Sequence, residues 1–385
     1  MATSAVRSVG AGNILTIGGD ELAFFRVTLL PAGQGDSILL EYGDPAAPFR
    51  ILIDGGPARC YDLVSARLAA VIRDRRRIDL LVLTHVDADH IEGVLKLVND
   101  ANLALEVGEV WFNGYQQLPS DEDDYLGPPH GEILSTLISS RDIPWNTPFN
   151  RGPVVRERTA PLPCIDLPGG LTLTVLGPDE ATLRSLRSVW EEECRKAGIA
   201  PGSTRDALDL LARQQRLRPL DTYLADFDPE ALATGPESSA DSSVTNASSI
   251  VLLAEYDGRG ILLPGDATPT VLAEGLERLL AERGRSVLDV EAVKLPHHGS
   301  RRNVTRGVLD LVRSPTYLVS TDSSYFRHPD PEAIARVVVG HGARRLVFNY
   351  RTEITDRWSD QALTGRFGYD AIYPAVETKG VALEI

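Results

Sequence analysis

Short apolar runs alternate with helix-spaced segments along most of this chain. Residues 25–30 and 37–42 are apolar runs on either side of Pro31-Ala32-Gly33-Gln34-Gly35-Asp36, the pattern of a strand pair around a turn. Further runs at 49–53, 78–83, 107–113 and 171–176 predict strands, while 63–73, 91–98 and 131–140 carry apolar residues at helical spacing. The second half repeats the alternation, with strands over 249–256, 260–263, 291–295, 317–320 and 346–350 and helices over 268–283 and 331–339. Two such halves laid face to face predict a four-layer αββα sandwich, an α/β (α+β) fold with its chemistry at one edge.

Between 178 and 246 the pattern changes. Residues 180–197 and 204–217 show helical spacing of Leu, Val, Trp and Ala, separated by Gly198-Ile199-Ala200-Pro201-Gly202, which predicts a helical hairpin. Residues 233–243 are rich in Ser, Gly and acidic side chains and predict a flexible linker. The chain thus reads as a single domain over 1–385, with a core of about 24–178 and 246–385 and a protruding insertion at 179–245. Such an insertion offers a surface to a regulatory protein or a protease. Either it is a lid that restrains the site, or it is an idle surface elaboration.

Polar residues that interrupt the pattern gather at strand ends. The run 78–83 leads into Thr84-His85-Val86-Asp87-Ala88-Asp89-His90, which puts two His and two Asp within six residues. Carboxylate oxygens and imidazole nitrogens crowded at a strand end suit divalent metals. A helix N-cap would account for Asp89, but it needs none of His85, Asp87 or His90. Other strand ends carry similar groups: Asp54-Gly55-Gly56, Gly265-Asp266 and His297-His298-Gly299-Ser300, with His328 in the loop Phe326-Arg327-His328-Pro329. Open sheets bind ligands outside the ends of their strands, so these residues are expected to share one cavity.

Taken in order, the motifs resemble the metallo-β-lactamase superfamily, whose usual signature is His-x-His-x-Asp-His. This chain has His-x-Asp-x-Asp-His. Together with Gly33-Gln34-Gly35-Asp36-Ser37, Asn246-Ala247-Ser248-Ser249, Gly265-Asp266, His297-His298-Gly299-Ser300 and His328-Pro329, that variant is similar to the hydrolase domain of the ComEC/Rec2 DNA-uptake proteins. The resemblance runs from about Phe24 to the last residue, interrupted by the insertion. It implies a metallo-β-lactamase sandwich and two divalent metal ions. One metal would take His85 and Asp87, the other Asp89, His90 and His328, with Asp266 bridging. Asp89 and the pair His297 and His298 would serve catalysis, and Asp54 would orient the ligands from behind. The superfamily's further His is missing from the Asn246–Ser249 segment, so the first metal would be held less tightly or would borrow Asn246, His297 or water. Asp for His hardens the site, which moves the expected ion from Zn²⁺ towards Mn²⁺ or Mg²⁺.

Composition narrows the setting. No apolar run approaches the ~20 residues that span a bilayer, so no membrane association is expected. Three scattered Cys, at 60, 164 and 194, suggest reduced thiols and a cytoplasmic protein, not a disulfide frame. The net charge of -15 argues against a protein that coats nucleic acid through a global positive field. It leaves room for a nuclease that grips phosphates locally, with Asn246, Ser300, Arg301 and Arg302 as candidate substrate contacts. Arg301 and Arg302 fit a plain solvated turn equally well. The favoured function is a metal-dependent phosphodiesterase or nuclease acting on DNA through a two-metal-activated hydroxide, a type of enzyme that could serve as a regulated effector in bacterial defence. Two alternatives stay open: a hydrolase of a small phosphoester or other small ester or amide, and a partner-gated interaction protein with a dormant metal site.

Overall fold

The computed structural model describes residues 14–15, 23–73, 75–119, 129–197 and 227–385. Two mixed sheets pack face to face. The first runs β1 (Ile14–Leu15), β15 (Val381–Glu384), β2 (Phe24–Leu29), β3 (Ile38–Gly43), β4 (Phe49–Ile53), β5 (Leu80–Val82), β6 (Val110–Trp111). The second holds β7 (Cys164–Asp166), β8 (Thr172–Gly177), β9 (Val251–Tyr256), β10 (Arg259–Leu263), β11 (Ala292–Lys294), β12 (Thr316–Val319), β13 (Arg345–Phe348) and β14 (Asp370–Ile372), in the order β14-β13-β12-β11-β10-β9-β8-β7. Each sheet joins an antiparallel stretch to parallel strands. In the first, β2, β3 and β4 are antiparallel and β4, β5 and β6 parallel. In the second, β7 to β10 are antiparallel and β10 to β14 parallel.

Period-two alternation assigns the faces. Phe25, Val27 and Leu29 of β2 and Leu40 of β3 meet Leu173, Val175, Leu252 and Ala254 of the opposite sheet in a dry inter-sheet core. Leu39, Leu52 and Leu81 point the other way, under the helices α1 (Tyr61–Val71), α2 (Ala88–Asn99) and α3 (Pro129–Ser140). The outer face of the second sheet is covered by α6 (Pro269–Arg283) and α7 (Pro331–Ala335). Each fully buried Leu, Ile or Val contributes about 1.5–3 kcal/mol through the area it removes from water. Three apolar layers, two sheets and two helical faces make the expected four-layer sandwich.

The insertion departs from expectation. Its first helix, α4 (Glu180–Ala197), does not protrude: Leu183, Leu186, Trp190 and Cys194 are buried in the helical layer of the first sheet. Its later part also sits on the core. Helix α5 (Pro229–Thr234) is capped by Asp228, and Phe227 packs edge-on against Trp358. The stretch expected to be a loose linker is a strap. Arg306 donates to the carbonyls of Ala233 and Gly235 and takes Glu237 as partner, Arg302 donates to the carbonyls of Ser239 and Ala240, and Asp241 is buried. Ser, Gly and acidic content marks polarity, and here the acids and carbonyls answer arginines of the core. The predicted helix at 204–217 lies outside the described residues. Helix α1 stops at Val71, and Arg75 and Arg77 both bind Asp79.

Candidate metal centre

Strand ends from both sheets meet at one edge of the sandwich. Strand β4 delivers Asp54, β5 delivers Thr84 and His85, β10 leads to Asp266, and β11 leads through Lys294 to His297 and His298. Helix α2 begins at the same edge, with Asp87 at its N-cap position and Asp89 and His90 in its first turn. Asp87 makes no capping hydrogen bond, so capping does not explain the acidic run. The helix reaches this position because glycines let backbone meet backbone. A Cβ on Gly35 would lie 1.8 Å from the carbonyl oxygen of Asp89, and one on Gly93 would lie 1.9 Å from that of Gly55.

Hydrogen bonds fix how each imidazole faces. His90 donates from Nδ1 to Asp54 Oδ2 at 2.8 Å, and His298 donates from Nδ1 to the Ser320 carbonyl at 2.9 Å. Thr84 donates its hydroxyl to Asp54 Oδ2 at 2.7 Å, so the His85 Nδ1, 3.0 Å away, is the donor to that hydroxyl. In all three rings Nδ1 carries a proton, so Nε2 is the atom that faces the cavity and gives a lone pair whenever the ring is neutral. Asp54 therefore anchors His90 directly and His85 through Thr84. It is itself held with φ 60°, a left-handed geometry that Asp tolerates better than most residues.

The Nε2 atoms converge on one carboxylate. Asp266 Oδ2 lies 3.3 Å from His90 Nε2, 3.3 Å from His298 Nε2 and 3.9 Å from His297 Nε2. Asp89 Oδ2 lies 3.4 Å from His298 Nε2. Four overlapping groups have ligand atoms close enough to share an ion: His85, His90 and Asp266; Asp89, His90 and His298; Asp36, Asp54 and His90; and Asp36, Asp266 and His298. The Nε2 atoms of His85, His90 and His298 and Oδ1 of Asp266 are buried without a hydrogen-bond partner. Buried polar atoms are rarely left in that state, so the donor set fits divalent cations.

The charges agree. Burial pulls the imidazoles of His90 and His298 down, yet Asp266, helped by Asp54 and Asp36 respectively, outweighs it and holds both well above the ordinary histidine range. Burial pushes Asp266 up, but His298, His90, His297 and Lys294 hold it well below the usual carboxylate range. The pocket is anionic enough to demand cations, and in the bare protein protons take that role.

Two residues that sequence reasoning left without a role stand behind this cluster. Lys294 is wholly buried, forms an ion pair with Asp36, lies 3.5 Å from Asp266 Oδ1 and donates to the Gly265 carbonyl. Its charge stands beside Oδ1 of Asp266 without a hydrogen bond, while Oδ2 faces the imidazoles. Asp36 ends the Gly-Gln-Gly-Asp turn, and its Oδ1 lies 3.4 Å from His298 Nδ1. A Lys inside an otherwise apolar strand, Ala-Val-Lys-Leu, was the available signal, because an unpaired ammonium is not buried in a core.

Not every expected residue joins the cluster. His328, expected on the second metal, belongs to none of the four groups; its ring lies 5.5 Å from that of His297, and its Nδ1 is 3.6 Å from Asp330 Oδ2. His298 is in two of the groups, and it sits in a turn of two consecutive left-handed residues, His297 at φ 47° and His298 at φ 54°. Asp87 stays at the rim, 39% exposed, 3.6 Å from His85 Nε2 and accepting from Thr245 Oγ1. His297 is kept apart from His298: its Nδ1 is held by Asn303 Oδ1 at 3.1 Å and Asp241 Oδ2 at 3.4 Å. Asn246 donates to Asp241 and so braces His297. Arg301 is paired with Glu332 through Nη1, and Arg302 donates from Nε and Nη2 to the strap carbonyls. Ser300 is buried and accepts from the Arg302 amide.

Residues 30–156 match the family model of the metallo-beta-lactamase superfamily. Among solved structures, the metallo-beta-lactamase fold protein YhfI from Bacillus subtilis is similar, with 10% identity and a TM-score of 0.39 over 94% of this chain and 100% of that one. No curated protein matches the sequence. The matched residues carry the His85-to-His90 run; the matched superfamily is one of metal-dependent hydrolases, typically with two divalent ions, and the αββα sandwich of this chain is consistent with its fold. Among the described residues, no helix is long and apolar enough to cross a membrane.

Proposed function

We propose that the chain is a metal-dependent phosphodiesterase that cleaves nucleic acid, DNA in particular. The observation that carries this is the convergence of buried, unpartnered Nε2 atoms on Asp266, with Asp89 beside them. His85, Asp89, His90, Asp266 and His298 would hold two ions, with Asp87 joining from the rim. Bound divalent ions polarise a phosphoryl oxygen and acidify a water. Three imidazoles among many carboxylates make a harder set than an all-His site, which favours Mn²⁺ or Mg²⁺ over Zn²⁺.

The remaining roles belong to the chain's own side chains. Asp54, Thr84 and Lys294 keep the ligands oriented and leave them no alternative partner. His297, braced by Asn303 and Asp241, turns Nε2 to the open side of Asp266, from which it can hand a proton to a leaving oxygen. At the rim, Phe326 is 56% exposed, packs edge-on against Tyr325 and lies 5.8 Å from the His328 ring. An exposed aromatic face this close to the cavity suits a nucleobase flanking the scissile bond. The order of motifs, similar to that of the DNA-uptake hydrolase domain, supports DNA over other polymers. The net charge of -15 favours the second reading, a small phosphoester as substrate, because a large polyanion is repelled by such a surface.

The deciding experiment offers the purified chain plasmid, single-stranded DNA, RNA and a small aryl phosphodiester, each with Mn²⁺ and with chelator. Metal-dependent cleavage of DNA is expected. Turnover of the small diester with all polymers left intact would replace this reading by the second one.

A further inference from the structure

Far from the metal centre, at the opposite end of β2, β3 and β4, a pocket of ≈ 280 Å³ opens between the first sheet, α1 and residues 374–382. Five cationic side chains line it, Arg26, Arg50, Arg67, Arg73 and Lys379, against one carboxylate, Glu41. Glu41 is already engaged, 3.2 Å from Arg50 Nε and 3.7 Å from Arg26 Nη1, and Arg26 also binds Glu384 at 2.8 Å. The side chains of Arg67, Arg73 and Lys379 make no hydrogen bond or ion pair with any described residue. Arg67 is the telling member: its Nε is buried and unsatisfied. In a chain of net charge -15, a crevice with this excess of positive charge is not a product of bulk composition. Burial lowers the affinity of Arg67 for its proton, and Arg26 adds to that, with Glu41 only partly offsetting them.

An unpartnered guanidinium beside others is costly unless an anion joins them. We propose that this pocket is a binding site for a small phosphate monoester, with the phosphate held by Arg67 together with Arg26, Arg73 and Lys379. Guanidinium forks match the paired oxygens of a phosphate, and a dianion balances more of the surplus than a carboxylate would. The volume admits a phosphate with a small organic part and excludes a nucleic-acid strand. The ring of Phe24 and the side chain of Val376 also line the pocket and give the organic part an apolar wall. The site is separate from the hydrolytic centre and does not depend on what that centre cleaves.

The test is calorimetric titration with inorganic phosphate, AMP and glucose 6-phosphate, in chelator, on wild type, Arg67→Gln and Asp266→Asn. Chelator and Asp266→Asn both remove the metal centre as a competing phosphate site. Wild type and Asp266→Asn are expected to bind one equivalent alike, and Arg67→Gln about tenfold or more weakly, the loss of one charge-assisted pair. Circular dichroism and unchanged hydrolysis would show that Arg67→Gln is folded. The milder Arg73→Gln, on an exposed side chain, should weaken binding by a smaller factor. The preference among the three ligands tells whether the phosphate alone or the organic part matters. Binding lost in Asp266→Asn but retained in Arg67→Gln, or no binding by wild type to any of the three, would overturn the proposal.

Discussion

Strands β2, β3 and β4 bury charge at both of their ends, and the two ends differ in sign. At one end lie Asp36 and Asp54, joined by Asp89 and Asp266 from neighbouring elements, with imidazoles turned towards them. At the other end Arg26 and Arg50 stand on the same strands, with Arg67 above them on α1 and Glu41 as the single carboxylate. Both ends leave buried polar atoms without hydrogen bonds, Nε2 of three histidines at the first and Nε of Arg67 at the second. Most buried polar atoms have a partner, and at both of these ends one can come from outside the chain. The sign then names the class of what completes them: cations at the carboxylate end, an anion at the arginine end. The supporting shells differ too. The imidazoles of His85, His90 and His298 are each oriented by a second group, whereas the side chains of Arg67, Arg73 and Lys379 at the arginine end are not. That contrast marks a resident ion on one side and an exchangeable ligand on the other.

The largest expected effect separates two histidines that look alike in sequence. His298→Ala should remove most bound metal and bring hydrolysis to background, while His328→Ala should leave metal content near that of wild type. Metal analysis of the two variants decides this; equal loss in both would restore His328 to the ligand set and weaken the geometry described above. Next in size is Asp54→Ala, which releases His90 and frees Thr84 from its role on His85. A fall of about 10–100-fold in metal affinity is expected for a residue that acts only through the ligands. Unchanged affinity would mean that the imidazoles hold their orientation unaided.

A smaller effect comes from pH. In the bare protein the carboxylates keep His90 and His298 charged well above their ordinary range. An imidazolium has no lone pair to give, so each ion must displace protons, and affinity should rise as pH rises. Titrating Mn²⁺ at about pH 6 and about pH 8, on either side of the ordinary histidine pKa, measures it. Equal affinity at both would mean that the histidines are neutral, or are not ligands. The smallest effect is an expected null: Arg67→Gln should not change the rate of hydrolysis, since its pocket lies at the other end of the sheet. A large loss would couple the two ends and end the contrast between them.

The sandwich was legible because period-two and period-3.6 patterns are local. So was the acidic and imidazole edge, because four ligand-type residues in Thr84 to His90 have no economical structural explanation. Three things were not legible, each for a reason of geometry. The place of His298 among the grouped residues goes with two left-handed residues in a row, which neither His-His nor the glycine after it announces. The seating of 233–243 depends on Arg302, Arg306 and Arg336, distant in sequence, whose need for partners turns a linker-like composition into a strap. Arg26 and Thr28 of β2 look like the solvent face of a strand, and only the arrival of α1 and residues 374–382 encloses them. Lys294 is the intermediate case, visible as an ion within an apolar run but without a partner until Asp36 is folded beside it.

The central claim is that the carboxylate end holds divalent metal at Asp266. It is tested most directly by growing crystals with Mn²⁺ and locating the ions by anomalous scattering, in wild type and in Asp266→Asn. Two peaks are predicted in wild type, with Asp266 touching both, His85 at one and Asp89 with His298 at the other, and both peaks should be absent or strongly depleted in Asp266→Asn. A wild-type crystal saturated with Mn²⁺ that shows no peak within coordination distance of Asp266 would contradict the account.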